Sequence, residues 1–268
     1  MIKNINQKNS ILENRYIMVL DTETVNSFAY PLVYDLGFII YDTKNKKIVK
    51  SYNRLVSEFF NKKQLMESAH YSEKLPLYYN MIEFEKLAVI NWGYIIRHIY
   101  QQIVKYNIQA IYAYNANFDK RAIESTCLFL DKDNLLENIP FIDIMGNIAE
   151  MVDSSQYKNW AETTGHITDS KRYYSTTAET IYRYITNQGD FIEDHTALSD
   201  CYIELEILNY MIENYNQEYN KSYKPKKFIG RGLELERMQI ISPNGKKQII
   251  YYSDIEWSGN TIQFNIED

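Results

Sequence analysis

The chain has 268 residues, of which 45% are hydrophobic, and carries a formal net charge of −6. That length suits one sizeable domain with an appendage, and no stretch approaches the roughly 18 apolar residues of a membrane span. The acid excess excludes broad, nonspecific coating of DNA, although two bound divalent ions would bring the formal −6 to −2 and so leave a polyanionic substrate open.

The opening "MIKNINQKNSILENRY" lacks an apolar signal core, and residues 1–14 read as an N-terminal extension. Residues 15–21 form a continuous apolar strand. "LVYDLGFIIYD" (32–42) and "KKIVKSYNRLV" (46–56) read as two more, joined by the polar turn "TKNK". Residues 57–85 show no clean period and are expected to be irregular, with short helical pieces. From about Glu85 to Tyr106, Ala88, Trp92, Ile95, Ile99 and Ile103 repeat at helical spacing. "IQAIYAYN" (108–115) is a strand, a helix follows from Asp119 to about Leu130, and "IPFIDIM" (139–145) is a short strand. Helical stretches come next around 175–187 and 195–215. The order βββαβαβα predicts an α/β fold, a mixed sheet with helices on both faces.

Cys127 and Cys201 are isolated, with no CxxC, so a zinc site or disulfide framework is not expected and a reducing cytoplasm fits. The 25 tyrosines and abundant Ile, Asn and Lys resemble the AT-rich coding of phages and low-GC bacteria, which would place the chain in a host cytoplasm. After Asn220 the composition shifts to the basic run "KSYKPKKF" and then two strand-turn patterns. The predicted division is therefore a domain over 15–216 and a small C-terminal β-meander appendage over 217–268. Lys221, Lys224, Lys226 and Lys227 are candidates to guide a nucleic-acid strand; covering a sheet edge or helix face is the plainer role of the tail.

In "LDTET", Asp21 and Glu23 alternate with Thr22, so both acids project from one face, about 6–7 Å apart along the strand. Two carboxylates so placed repel unless something cationic lies between them, and oxygen ligands favour magnesium or manganese. Solvated strand ends also produce such pairs. In "AYNANFDKRAI", Asn115 closes a strand and Asp119 begins a helix. Ligands of open α/β sheets bind beyond the carboxyl ends of the strands, so a parallel strand would deliver Asp119 to the Asp21 end; otherwise Asp119 complements a helix dipole. In "EDHTALSDCYIELEILNYMI", Leu198, Cys201, Leu205 and Leu208 form an apolar stripe beside Asp200. His195 precedes Asp200 by five residues. On one helix that spacing diverges by about 140°, so the histidine belongs at or before the first turn, on a loop able to turn it inward.

"LDTET", "YNANFD" and "HTALSD" resemble, in order, the D-x-E, N-x-x-x-D and H-x-A-x-x-D motifs of the DEDDh group of DnaQ-like 3′–5′ exonucleases, which includes polymerase proofreading subunits, RNase T and oligoribonuclease. The likeness spans roughly residues 15–215, and "YDLGFIIYD" and Asp143 in "FIDIM" also match family features. Val25 and Asn26 stand where many members have Thr-Gly, and Tyr114 where His commonly precedes the Asn. Thr196 occupies the position that is Tyr in the tyrosine variant of the family.

The resemblance implies an RNase H-like fold with a five-stranded mixed sheet. It further implies two Mg2+ or Mn2+ ions, Asp21 bridging both, Glu23 and Asp200 completing one site and Asp119 holding the second, with His195 as general base. Thr22, Thr24, Asn115 and Phe118 are the expected contacts to the terminal nucleotide. The substrate would be single-stranded DNA or RNA with a free 3′ end, and the product a nucleoside 5′-monophosphate. Phe28, Tyr30 and Tyr71 are loop aromatics that could stack on bases or simply pack. Of the other histidines, His98 reads as structural, His166 as exposed, and His70 gives no signal. Alternatives of other classes are a catalytically silent nucleic-acid-binding or assembly protein, and a nuclease subunit working within a polymerase or repair complex. A homodimer is a further option for association.

Overall fold

The computed structural model describes residues 15–25, 30–67, 69, 72–84, 86–168, 173–219 and 221–223, with the backbone of four short strands between 237 and 263. Strands β1 (Tyr16–Val25), β2 (Leu32–Asp42) and β3 (Lys47–Val56) form the expected antiparallel meander. The β2–β3 turn is fixed by Asp42, whose carboxylate accepts the Lys44 and Asn45 amides at 3.1 Å each and the Arg15 guanidinium at 2.9 Å. Hydrogen bonding to Arg15 holds the Asp42 carboxyl well below the usual carboxylate range. β1 runs past Asp21 to Val25 because Thr22–Val25 continue pairing with β2 across a bulge between Glu23 and Thr24.

Helices α1 (Ser57–Phe60), α2 (Lys63–Met66) and α3 (Leu75–Glu83) occupy the stretch without sequence period. Strand β4 (Ala88–Ile90) then pairs in parallel with Arg54–Val56 of β3. Helix α4 (Trp92–Tyr106) begins only after it, with Asn91 accepting the Gly93 amide at 2.8 Å and Glu58 accepting the Trp92 amide at 3.1 Å. This corrects two expectations. Ala88 belongs to a strand rather than to the helical stripe, and the sheet has six strands instead of five, because a short β-branched run found an edge to extend.

Next come β5 (Ile111–Ala113), α5 (Ala116–Phe129), β6 (Phe141–Asp143), α6 (Ile144–Asn147) and α7 (Ala149–Val152). They are followed by α8 (Ser155–Thr164), α9 (Ala178–Thr186) and α10 (Ala197–Asn214). The strand order is β4-β3-β2-β1-β5-β6, with β5 parallel to β1 and β6 parallel to β5. The result is an α/β, RNase H-like architecture.

The chain divides into two compact units, one of residues 1–151 and 176–226, the other of 152–175 and 227–268. The second contains α8, an antiparallel bridge between Ile167 and Tyr174, and two hairpins. These are β7 (Arg237–Ile241) with β8 (Lys247–Tyr251), and β9 (Glu256–Ser258) with β10 (Thr261–Gln263). No helix of the described residues is long and apolar enough to cross a membrane.

In the first unit, alternation along the strands divides the core. Met18, Leu20, Leu36, Phe38 and Ile40 pack with Trp92, Ile95 and Ile99 of α4 and with Ala122 and Ile123 of α5. Ile17, Val19 and Ile39 point to the opposite face, where α10 lies against β1 and β2. The approach of α10 is close because of Gly37. A Cβ there would sit 2.5 Å from the Leu198 amide nitrogen and 2.6 Å from the Ala197 carbonyl oxygen.

Gly37→Ala is therefore expected to overpack a backbone-to-backbone contact and lower stability by about 1–3 kcal/mol. The change should appear as a lower urea midpoint at an unchanged m-value.

Candidate active site

Asp21 sits opposite Gly37 in the β1–β2 register, and Glu23 follows at the bulge. Because β5 runs parallel to β1, the chain leaving β5 emerges at the same end of the sheet. Asn115 turns it into α5 with a left-handed backbone, φ 60°, a conformation that Asn tolerates better than most residues. Asp143 at the end of β6 braces this turn, its Oδ1 accepting the Asn115 amide at 2.9 Å and the Met145 amide at 3.0 Å. One turn into α5, Asp119 Oδ1 accepts both the Thr22 amide at 3.1 Å and the Thr22 hydroxyl at 2.8 Å. The residue between the two β1 acids thus ties the third acid to the strand.

The remaining groups come from the start of α10. His195 stands just before the extended N-cap Thr196 and also has a left-handed backbone, φ 52°. Such a conformation costs of order 1–3 kcal/mol for a residue with a side chain and persists only when its surroundings enforce it. Here the enforcing group is Asp35. Its carboxylate accepts the Ala197 amide at 3.0 Å, the Tyr78 hydroxyl at 2.8 Å and the Asn53 side-chain amide at 2.5 Å. An acceptor at the first amide of α10 also complements the helix dipole. His195 Nδ1 lies 3.5 Å from Glu193 Oε2.

These elements enclose a cavity of about 370 Å3 at the end of β1. Asp21, Glu23, Asp119, His195 and Asp200, separated by up to 179 positions in the chain, all line it. So do Thr22, Thr24, Asn115 and Phe118. Within the cavity, ligand atoms of Glu23, His195 and Asp200 lie within 4.8 Å of one another.

Two further acids line the same space, Glu193 and Glu204, and Asp35 lies behind it. Sequence signals for them exist. Glu193 is two residues before His195, and Glu204 is one helical turn beyond Asp200, on the same side of α10.

Elsewhere, Lys221 is exposed, 3.9 Å from Glu218 and over the Tyr223 ring; Lys224, Lys226 and Lys227 lie outside the described residues, as do Asn26, Phe28, His70 and Tyr71. Tyr30 is exposed. His98 stacks on Tyr52 with ring centres 4.6 Å apart, a structural role. His166 is half-buried against Trp160 rather than exposed.

Burial is the main force on the acids, and mutual repulsion adds to it. Desolvation followed by repulsion from Asp119, Glu204, Asp200 and Glu23 pushes Asp21 well above its ordinary range. Burial raises Asp119 to about 7 despite the Thr22 bonds. Burial and the Glu193 charge raise Asp200 to about 10. Burial raises Glu193 to about 7. Asp35, buried completely but served by three donors, is raised only to about 6. The contrast between Asp35 and Asp200 shows what donors do for a buried carboxylate.

Three buried carboxylate oxygens, Asp21 Oδ2, Asp200 Oδ1 and Glu204 Oε2, find no hydrogen-bond partner among the described residues. Orphaned carboxylate oxygens around one cavity are what a divalent cation would satisfy, and a donor set of carboxylate oxygens fits magnesium or manganese.

No protein-family model matches the chain, and no curated protein matches it. Solved structures do. The nuclease domain of 3′hExo, a DEDDh family member, bound to rAMP, has a TM-score of 0.52 at 9% identity, over 78% of this chain and 97% of that one. A 3′-exonuclease in the 3′-end-specific recognition of a histone mRNA stem-loop has a TM-score of 0.51 at 7% identity, over 89% of this chain and 92% of that one. A full-length 3′-exonuclease gives 0.51 at 8% identity, over 82% and 91%. At identities this low the likeness is one of backbone architecture, and the chain shares the RNase H-like fold of these nuclease domains.

Proposed function

We propose that the protein is a divalent-metal-dependent 3′–5′ exonuclease that hydrolyses single-stranded DNA or RNA to nucleoside 5′-monophosphates. The observation that carries this reading is the convergence of Asp21, Glu23, Asp119, Asp200 and His195 on one cavity at the end of β1. A scaffold that only binds or assembles has no need to bury acids against one another there. The rAMP held by the 3′hExo nuclease domain is of the same chemical class as the proposed product.

Asp21, Glu23 and Asp200 would hold one cation and Asp21 and Asp119 the second, with magnesium or manganese as the ions. Bound there, the ions would neutralise the carboxylates and stabilise charge on the phosphate in flight. The chain's own residues supply the rest. Glu193 beside Nδ1 orients the His195 ring, so that Nε2 takes the proton of the attacking water as its oxygen bonds to phosphorus and the bond to the leaving 3′ oxygen breaks. Thr22 acts through Asp119. Thr24, Asn115 and Phe118 border the space where the terminal nucleotide would lie. A time course on 3′-labelled against 5′-labelled DNA and RNA, with and without manganese, tests the direction and the sugar preference together.

Asp21→Ala and Asp200→Ala are each expected to abolish magnesium-dependent hydrolysis of a single-stranded oligonucleotide; full activity in the Asp21→Ala protein would overturn the assignment. His195→Ala should lower turnover by about 10²–10⁴-fold, the range of a lost general base, while calorimetric manganese binding stays near that of the parent.

A pH effect follows from the buried acids. Asp35, Asp119 and Glu193 are raised to about 6, 7 and 7, above an unfolded value of about 4. A raised pKa contributes stability that is complete below the unfolded value and is lost as pH climbs through the folded one. In EDTA the unfolding temperature should therefore fall between about pH 4 and pH 7, and saturating magnesium should restore most of the loss at neutral pH. A flat profile in EDTA over that interval would contradict it.

A further inference from the structure

Glu204 is unaccounted for by the three motifs. It lies in the middle of an apolar helix face, 2% exposed, and lines the same cavity as the motif acids. The backbone amide of Tyr114, just past β5, donates to its carboxyl, while Oε2 has no partner among the described residues. A tie between helix and strand would need only the first of these contacts, and a neutral glutamine would serve it. The second oxygen, buried and without a partner among the described residues on a side chain that lines the cavity, is left for something else.

Its position in the cavity indicates what that is. Asp200, one turn earlier, feels Glu193 and Glu23 as its strongest acidic neighbours, and belongs to the Glu23–His195–Asp200 group. Glu204 instead feels Asp119 most strongly, and it is second only to Asp119 in its effect on Asp21. Asp119 and Glu204 are thus the two acidic neighbours that Asp21 feels most. Without Glu204, Asp119 would be alone in that role, and one Asp119 oxygen is already engaged by two Thr22 donors.

We propose that Glu204 is a fifth carboxylate ligand for divalent cation, completing the Asp21–Asp119 side of the cavity. The inference rests on the reading of the cavity as a two-ion site. It gives this chain one more acid than the D-x-E, N-x-x-x-D and H-x-A-x-x-D set supplies.

The test is a manganese titration of EDTA-stripped, full-length protein by calorimetry and by electron paramagnetic resonance of free Mn2+, with thermal unfolding recorded at zero and saturating Mn2+. The parent should bind two ions. In Glu204→Gln, the weaker step should lose roughly ten- to a hundredfold in affinity, the scale of a lost ligand or supporting group, and the tighter step should change little. Without manganese, Glu204→Gln should unfold at a higher temperature than the parent, because a repelling charge is gone, yet gain less from saturating Mn2+.

A purely structural glutamate would give the opposite pair, lower stability without manganese and unchanged binding steps, and that result overturns the proposal while leaving the two-ion reading intact. A parent protein that binds no manganese overturns both. Should Glu204→Gln not fold, Glu204→Asp carries the same comparison. An acid one methylene short should weaken only the weaker step, and unchanged constants for both steps would refute the assignment.

Discussion

Burial of carboxylates beside one another governs this site, and their mutual repulsion adds to it. Six acids border the cavity at the end of β1, and burial pushes each of them toward holding its proton. The fold does not relieve this uniformly. Donors are concentrated on the acids that hold the frame together. Asp35 has three, Asp119 has two on one oxygen, and Asp143 has two. Asp21, Asp200 and Glu204 each keep a buried oxygen without one among the described residues. Asp35 and Asp143, which brace backbone turns, thus differ in their hydrogen bonding from Asp21, Asp200 and Glu204, and Asp119 shares in the first pattern while lining the cavity with the second group.

The frame has to hold repelling groups together, and it does so through backbone contacts. Gly37 lets the first turn of α10 rest directly on β2, opposite Asp21. Asp35 fastens the Ala197 amide two residues away. Left-handed residues at Asn115 and His195 turn the chain sharply into α5 and α10, so each helix is entered from a residue at the cavity wall. The bulge after Glu23 shifts the register of β1, which goes on pairing with β2 through Val25.

Much of this was legible in the sequence because it follows from periodicity. Alternation in "LDTET" put Asp21 and Glu23 on one face, and the incompatibility of a five-residue spacing with one helix face placed His195 ahead of α10. The parallel run of β5 beside β1 then brought Asp119 to the same end. Other features depend on contacts that no local pattern encodes. Ala88–Ile90 read as helix because its apolar residues fit that period, and only the free edge of β3 makes it a strand. Helices α6 and α7, of four residues each, are too short to display a period. Glu204 was hidden inside a stripe whose neighbours, Ile203 and Leu205, are both buried. The sequence suggested an amphipathic helix there, but α10 is enclosed on most sides, so a buried acid could not be distinguished from an exposed one.

The order of these elements along the chain has its own consequence. Asp21 and Glu23 belong to the first strand, whereas Asp200 and Glu204 belong to α10, the last helix of the first unit. Their mutual repulsion arises only when that helix closes onto the sheet, and undocking α10 alone releases it. The helix thus acts as a spring-loaded latch, and the proposed cation between strand and helix would fasten the two ends of the unit to each other.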